Sequence, residues 1–275
     1  MLKTMTERGP DSAGFAIYGG QESGVRKITV RGVSDDVIAV FEAGFLELIG
    51  GTGTLHKRYD HVVLTYPAQH DAAVRDYVKA FGAGIAFASS GESIELYKGV
   101  GLPEDVALRF GLEKMQGTHA IGHTRMATES AVTVAGAHPF STGPDQCLVH
   151  NGSLSNHNSL RRQLVREGLT FETENDSEVA AGYLSWRLSK GERLDEALKA
   201  SLNDLDGFYT FVVGTRDGFA VLRDPVACKP AVMAETDDYV AFASEYRSFA
   251  GLPGIQHATV FEPEPQRVYH WEHAA

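Results

Sequence analysis

The order of strand-like and helix-like segments restricts the fold of this sequence more than any other feature. Apolar and β-branched stretches typical of strands stand near both ends, such as GFAIYG at residues 14–19 and GFYTFVVGTRDGFAVLRD at residues 207–224. Three segments with helical spacing lie between them, at residues 156–168, 176–191 and 193–205. Because strands and helices are grouped, the sequence predicts an α+β protein rather than a parallel doubly wound sheet.

The pattern changes between Asp60 and Gly91, which indicates a smaller unit inside the chain. HVVLTY at residues 61–66 predicts a buried strand, DAAVRDYVKAFG at residues 71–82 a helix, and GIAFASS at residues 84–90 a second strand. A β-α-β segment of about 30 residues closes with a right-handed crossover. We therefore predict one domain over residues 1–275, with an inserted subdomain over residues 60–91.

Charge, apolar runs and cysteine content narrow the classes of partner. The net charge of −11 disfavours nucleic acid and anionic membranes, because their phosphates would be repelled. No apolar run approaches the roughly 20 residues that span a bilayer. Two cysteines, Cys147 and Cys228, do not make a disulfide framework and fit a reducing cytosol. We expect a cytoplasmic protein that binds neither nucleic acid nor a membrane.

Two features resemble cofactor sites but lack the necessary spacing. IGGTGTLHKR at residues 49–58 is glycine-rich, yet it has no Lys-Ser/Thr ending of a phosphate loop, so it predicts a flexible turn. His119, His123, His138 and His150 have no carboxylate or cysteine at a familiar metal-ligand spacing. Structural or hydrogen-bonding histidines are predicted instead, and we expect no metal and no cofactor in this chain.

The two cysteines are examined as nucleophiles because Cys147 and His150 are close together in CLVHNG. Residues three apart on a strand point to opposite faces, so Cys147 is predicted to be a small buried apolar residue. Cys228 stands beside Lys229 and Pro230, where its pKa could be lowered, but no base accompanies it in the sequence. Neither thiol is predicted to be a nucleophile.

A set of polar residues at strand ends and turns is more informative. The guanidinium of Arg125 could hold a carboxylate in two parallel hydrogen bonds, and Asp176 could hold an ammonium group. Asn151 and Gly152 could aim two donors at a developing oxyanion. Taken singly, each residue also has a purely structural explanation. Arg125 could be a surface arginine, Asn151-Gly152 a hairpin turn, and Asp176 a helix N-cap. Taken together, they describe a pocket for an α-amino acid.

An ordered set of motifs identifies a resemblance. The motifs are RGPDSAG at residues 8–14, GHTRMATES at 122–130, AHPF at 137–140, LVHNGSLSNHNSLR at 148–161, NDSEVA at 175–180 and FASE at 242–245. In this order they resemble class II glutamine amidotransferase domains, which belong to the N-terminal-nucleophile hydrolases. The C-terminal stretch FEPEPQRVYHWE is most similar to stand-alone amidotransferase subunits related to glutamate synthase, such as the small subunit of N-methylglutamate synthase.

The resemblance implies a four-layer αββα sandwich that hydrolyses the side-chain amide of glutamine and passes ammonia to a synthase partner. Any FMN or iron–sulfur cluster would belong to that partner in a hetero-oligomer. The implied site residues are Arg125 and Thr128 for the substrate α-carboxylate, Asp176 for its α-amine, Asn151 with Gly152 for the oxyanion hole, and Arg8 near the nucleophile.

The resemblance also implies an N-terminal cysteine as nucleophile, with the chain's own amine as its base. This sequence begins with MLKTMTERGPDSAG, which corresponds to the helix that follows the nucleophile strand in the family. We therefore expect the first strand and the nucleophile to be missing, and the chain as given to be inactive alone. Either the true start lies upstream of Met1, or the protein is a non-catalytic subunit that binds glutamine or docks a partner.

Overall fold

Strands predominate in the first half of the chain. The computed structural model describes residues 1–20, 22–82, 84–127 and 131–273. A short 3₁₀ helix, Lys3–Arg8, comes first. The elements that follow it are β1 (Ser12–Tyr18), β2 (Val25–Arg31), α1 (Ile38–Leu48), β3 (Thr54–Arg58), β4 (His61–Pro67), α2 (Asp71–Phe81), β5 (Ala86–Gly91), β6 (Ile94–Val100), α3 (Pro103–Phe110) and β7 (His119–Arg125).

The second half contains the three helices that the helical spacing predicted, and they are confirmed as α4, α5 and α6. The hairpin predicted at residues 207–224 is confirmed as β10 and β11. The elements are β8 (Phe140–Gly143), β9 (Gln146–Leu154), α4 (His157–Arg166), α5 (Asp176–Ser189), α6 (Leu194–Asp204), β10 (Gly207–Thr215), β11 (Gly218–Arg223), β12 (Val232–Glu235), β13 (Val240–Ala243), β14 (Thr259–Phe261) and β15 (Tyr269–Glu272). In the part of the chain that is described, no helix is long and apolar enough to cross a membrane.

Two β-layers face each other at the centre of the molecule. One is an antiparallel sheet in the order β15-β11-β10-β9-β8. The other contains two three-stranded antiparallel sheets, β6-β1-β7 and β13-β12-β14. One apolar cluster joins all three sheets, with Tyr18 and Ile121 from the second layer, Cys147 and Val212 from the first, and Met233 from β12. Alternation along each strand gives the two layers these inward-facing residues.

Helices cover the outer faces of both β-layers. On the five-stranded sheet, α4, α5 and α6 bury residues such as Leu164, Leu184 and Leu198. On the outer face of β6-β1-β7, α3 packs Val106 and Phe110 against the strands. The result is a four-layer αββα sandwich, which confirms the predicted α+β class and layer order.

Residues 25–91 form a unit with its own sheet in the order β3-β4-β2-β5. The β-α-β order predicted for residues 60–91 is present as β4, α2 and β5, but β2 lies between the two strands and pairs with both. Helices α1 and α2 share a core with this sheet, which includes Phe41, Leu64 and Val78. The sheet and core therefore begin at β2, ahead of residue 60. The turn predicted from IGGTGTLHKR gives way at Thr54 to β3, which pairs with β4.

Polar contacts attach this unit to the sandwich. Asp145, in the turn before β9, donates its N–H to the carbonyl oxygen of Ser90 in β5 at 2.8 Å. Arg31, at the end of β2, forms an ion pair with Glu172 in the loop before α5. The unit thus contacts the segments that lead into β9 and α5.

Candidate functional site

The inner face of the β6-β1-β7 sheet changes from apolar to polar along its strands. Gly14 pairs with Lys98 on one side and His123 on the other, and Ser12 pairs in the same way with Val100 and Arg125. These positions alternate onto the face that carries Ala16, Tyr18, Leu96 and Ile121 in the central cluster. We call Ser12, Lys98, His123, Arg125 and the adjoining His138 the polar half of the interface, and Ala16, Tyr18, Leu96 and Ile121 the apolar half.

Gly14 makes room for His138 in the polar half. A Cβ at position 14 would lie 2.2 Å from the carbonyl oxygen of His138, so a larger residue would push this segment away. The imidazoles of His123 and His138 then lie with their ring centres 4.3 Å apart. His138 is buried, and neither of its ring nitrogens has a hydrogen-bond partner among the described residues.

Burial opposes the charged forms of the histidines and of Lys98 in this region. It lowers the pKa of His123 and of His150 to about 4, and lowers that of His138 well below its usual value. Burial also lowers the pKa of Lys98 to about 7, and its Nζ lies 4.4 Å from the centre of the Phe140 ring. No group of His, Cys, Asp or Glu side chains within the described ranges has the arrangement of a metal site.

Strand β9 presents opposite faces at Cys147 and His150, as the alternation predicted. Cys147 is fully buried in the central cluster, where the Tyr18 hydroxyl donates to its Sγ at 3.3 Å, and burial raises the pKa of this thiol to about 11. His150 points the other way, with its ring centre 5.2 Å from that of Phe211 under the helix layer. The next residue, Asn151, alternates back to the inner face.

Gly152 is required by the geometry of β9. Its φ of 155° is unfavourable for other residues, and a Cβ there would lie 2.0 Å from the carbonyl oxygen of Phe208 and 2.7 Å from Nε2 of His150. The backbone of β9 can therefore follow β10 closely at this point. The structure places Asn151 and Gly152 as neighbours within a strand rather than in the hairpin turn considered as an alternative.

Asp176 is the first residue of α5, but it does not cap the helix. The cap is Asn175, whose Oδ1 accepts a hydrogen bond from the N–H of Ser177 at 2.9 Å. The carboxylate of Asp176 is turned towards β9, where its Oδ2 accepts from the N–H of Leu154 at 2.9 Å. Its Oδ1 lies 3.9 Å from Nδ1 of His150. Asp176 thus lies beside the strand that carries Asn151 and Gly152.

The RGPDSAG and FASE motifs meet at the end of β7. Arg8 forms an ion pair with Glu245 at 3.4 Å. Asp11 donates its N–H to the carbonyl oxygen of Arg125 at 3.1 Å and accepts the N–H of Ala127 at 2.8 Å. The segment that carries Arg8 is therefore fixed against the strand end that carries Arg125.

The histidines connect the predicted site residues. His138 lies close enough to Arg125, His123 and His150 for each to lower its pKa, and Asp176 is similarly close to His150. Asp176 lies 3.9 Å from His150, which precedes Asn151 and Gly152 on β9. Arg125 lies at the end of β7, two residues after His123, and the segment that carries Arg8 is fixed there. Thr128 lies outside the described residues.

Sequence reasoning missed the contact between the rings of His123 and His138 and the contact of His150 with Ser177. With His119, the residues His123, His138 and His150 are considered as metal ligands and predicted instead to be structural or hydrogen-bonding residues. Each of the last three belongs to a different motif, GHTRMATES, AHPF or LVHNGSLSNHNSLR. The presence of a histidine in each of the three motifs was the sequence signal that could have found these contacts.

Known proteins resemble this chain over nearly its whole length. Residues 123–251 match the glutamine amidotransferase domain family. The glutamine amidotransferase-like protein GlxB of Rhizobium meliloti (strain 1021) is 56% identical over 274 residues, which cover 99% of this chain and 91% of that protein. The chain belongs to the glutamine amidotransferase family. A putative glutamine amidotransferase of Methanothermobacter thermautotrophicus is 36% identical over 284 residues, which cover 98% of this chain and 92% of that protein.

A solved structure supports the fold independently. The allosteric regulatory enzyme of purine biosynthesis matches with a TM-score of 0.58 at 22% identity, covering 94% of this chain and 47% of that one. The likeness is one of fold, and this chain spans about half the length of that enzyme. The family and the fold together confirm the class II resemblance predicted from the motifs.

Proposed function

We propose that this glutamine amidotransferase family member binds glutamine between Arg125 of β7 and Asp176 of α5. It would hydrolyse the side-chain amide of glutamine and deliver the ammonia to a synthase partner. The partner proposed is of glutamate or N-methylglutamate synthase type, and any flavin or iron–sulfur cluster would lie in that chain. The observation that carries the proposal is the carboxylate of Asp176, turned towards β9 beside Asn151 and Gly152.

The two ends of an amino acid have complementary groups in this arrangement. Arg125, with Thr128, would hold the α-carboxylate, since the guanidinium fork matches a carboxylate in two parallel hydrogen bonds. Asp176 would hold the α-ammonium group. An ionised carboxylate has about four acceptor positions, so the bond from Leu154 leaves capacity for the ligand.

The side-chain amide of glutamine would then reach Asn151 and Gly152. Amide hydrolysis through a thioester places negative charge on the carbonyl oxygen, and donors fixed at that position stabilise the charge. Attack by a thiol forms the thioester and releases ammonia; water then cleaves the thioester to glutamate and restores the thiol. Arg8 would lie near the thiol end of the site.

One observation favours a second candidate, a non-catalytic subunit that binds glutamine or docks a partner. The chain has two thiols. Cys147 is buried and its pKa is raised to about 11, so little thiolate forms at neutral pH. Cys228 is exposed, and within the described part of the chain its Sγ has no hydrogen-bonded base. Neither thiol has the surroundings of an activated nucleophile.

Calorimetric titration with L-glutamine tests the binding site. Replacing Arg125 with alanine or Asp176 with asparagine removes a charged hydrogen-bonded contact worth about 1.5–3 kcal/mol, so each should weaken binding about tenfold or more. Arg162→Ala is the matched control, because Arg162 is exposed on α4. Unchanged affinity in both site variants would contradict the proposed site.

Turnover separates the two candidate functions. Release of glutamate and ammonia is measured from the natural protein, alone and with its synthase partner. Hydrolysis in either condition supports the amidotransferase subunit, and glutamine binding without hydrolysis in both supports the non-catalytic subunit. If Cys147→Ala abolished turnover of a folded protein, the exclusion of that thiol would be wrong.

A further inference from the structure

Asp176 is held by a hydrogen-bonded chain that begins at His150. Ser177 donates its hydroxyl proton to Oδ1 of Asp176 at 3.3 Å. The same hydroxyl oxygen lies 2.9 Å from Nδ1 of His150. Because a serine hydroxyl has one proton, its oxygen must accept from Nδ1, which assigns the imidazole proton to that nitrogen. The order of donation is therefore His150 to Ser177 to Asp176.

The surroundings of His150 hold its ring in one orientation. Its side chain is 1% exposed, and the rings of Phe211 and Tyr209 pack edge-on against it with centres 5.2 and 6.5 Å away. Nε2 has no hydrogen-bond partner among the described residues and faces the space left by the absent side chain of Gly152. Rotation of the ring would meet these neighbours, so Nδ1 stays directed at Ser177.

The two oxygens of Asp176 are consequently fixed from two directions. Oδ2 accepts from the N–H of Leu154, at the end of β9, and Oδ1 accepts from Ser177. A carboxylate with one anchored oxygen can still rotate about its side-chain bonds, whereas the second bond defines the plane of the group. That plane decides where the remaining lone pairs point.

We infer that His150 is a positioning residue for the amino end of the ligand: through Ser177 it orients the carboxylate of Asp176 to receive an α-ammonium group. The inference rests on the proposed function, because it takes Asp176 as the partner of the amine. His150 itself does not touch the ligand, since its ring is buried behind β9 and α5.

The test compares L-glutamine with glutaramate, which is glutamine without its α-amino group. His150→Leu and Ser177→Ala should each weaken binding of L-glutamine about tenfold and leave binding of glutaramate within twofold of the unaltered protein. His150→Asn should restore most of the loss, because the asparagine amide places an N–H donor near the position of Nδ1. The double variant His150→Leu/Ser177→Ala should be no weaker than either single variant.

A matched control comes from the same helix. Ser189→Ala removes a hydroxyl that donates to the carbonyl oxygen of Trp186, remote from the site, and should change neither affinity. Ser177→Ala keeps the test valid if His150→Leu fails to fold, since it deletes a single oxygen atom.

Four results would overturn the inference. Equal weakening of both ligands would assign His150 and Ser177 a packing role, and undiminished binding of L-glutamine would show that orientation of Asp176 does not need them. If Asp176→Asn alone selectively lost L-glutamine, the proposed function would stand without this inference. If the unaltered protein bound glutaramate as tightly as L-glutamine, the amine-binding role of Asp176 would fail, and the inference with it.

Discussion

The two halves of the interface between the β-layers lie along the same strands but differ in how they affect stability. In the apolar half, Tyr18, Leu96 and Ile121 are buried against the five-stranded sheet, and burial of apolar surface stabilises the fold. Two residues further along β6, the polar half buries Lys98, and it also buries the adjoining His138, whose imidazole has no hydrogen-bond partner among the described residues. Buried polar groups without partners cost stability. The apolar half therefore stabilises the strands whose polar half carries Arg125 of the proposed site.

The largest expected effect is a pH dependence that arises from His123 in the polar half and from His150 on the opposite face of β9. The unfolded chain protonates its histidines below about pH 6.5, whereas His123 and His150 stay neutral in the fold until about pH 4. The unfolded state therefore binds more protons in this window. The free energy of unfolding should fall with pH from 6.5 to 4 by up to about 1.4 kcal/mol per pH unit for each imidazole.

Denaturant unfolding at several pH values measures this slope. His123→Gln should flatten the profile between pH 6.5 and 4, and His257→Gln should leave it unchanged, because His257 is exposed. A slope that is the same in both variants would place the pH dependence elsewhere in the molecule.

The next effect is expected in the apolar half. Leu96→Ala removes a fully buried side chain from the central cluster and should lower the free energy of unfolding by about 2–5 kcal/mol. The loss should be equal at pH 6 and pH 8, since no titratable group is removed. Leu108→Ala, at a position that is 63% exposed, should stay within about 0.5 kcal/mol of the unaltered protein. A loss from Leu96→Ala that varied with pH would show that the two halves are coupled.

A smaller effect of opposite sign is expected at Lys98. The folded-state pKa of about 7 shows that burial opposes the charged amine, so the apolar and similarly long side chain in Lys98→Met should raise the free energy of unfolding at pH 6 by about 1 kcal/mol. Lys199→Met is the control, because that side chain is 63% exposed. Destabilisation by Lys98→Met would mean that Lys98 has a favourable partner. Burial at this position of the polar half would then stabilise the fold, as it does in the apolar half.

The elements that depend on local pattern could be predicted from the sequence. Helical spacing predicts α5, and the Asp217-Gly218 pair predicts the β10–β11 hairpin. The edge strand β3 was missed because TLHKR shows no apolar alternation, and β8 was missed because it has four residues. The boundary of the inserted unit depends on which strands are neighbours, and β2 finds its partners more than 30 residues further along the chain.

The candidate site likewise has parts that local sequence predicts and parts that depend on tertiary packing. Residue types at turns and strand ends predict Arg125, Asn151 and Asp176 as site residues. That Asn175 and not Asp176 caps α5 depends on backbone angles, which either residue type allows. The chain from His150 through Ser177 depends on the packing of α5 against β9, and no spacing within one motif encodes it.

A crystal structure with bound L-glutamate, the product of the proposed reaction, tests the central claim most directly. The account predicts the α-carboxylate at Arg125, the α-ammonium group within hydrogen-bond distance of Asp176, and the side-chain carboxylate beside Asn151 and Gly152. The ring nitrogens of His138, which have no hydrogen-bond partner in the described part of the chain, should stay out of reach of the ligand. Glutamate bound elsewhere, or bound at Arg125 with its ammonium group away from Asp176, would contradict the account.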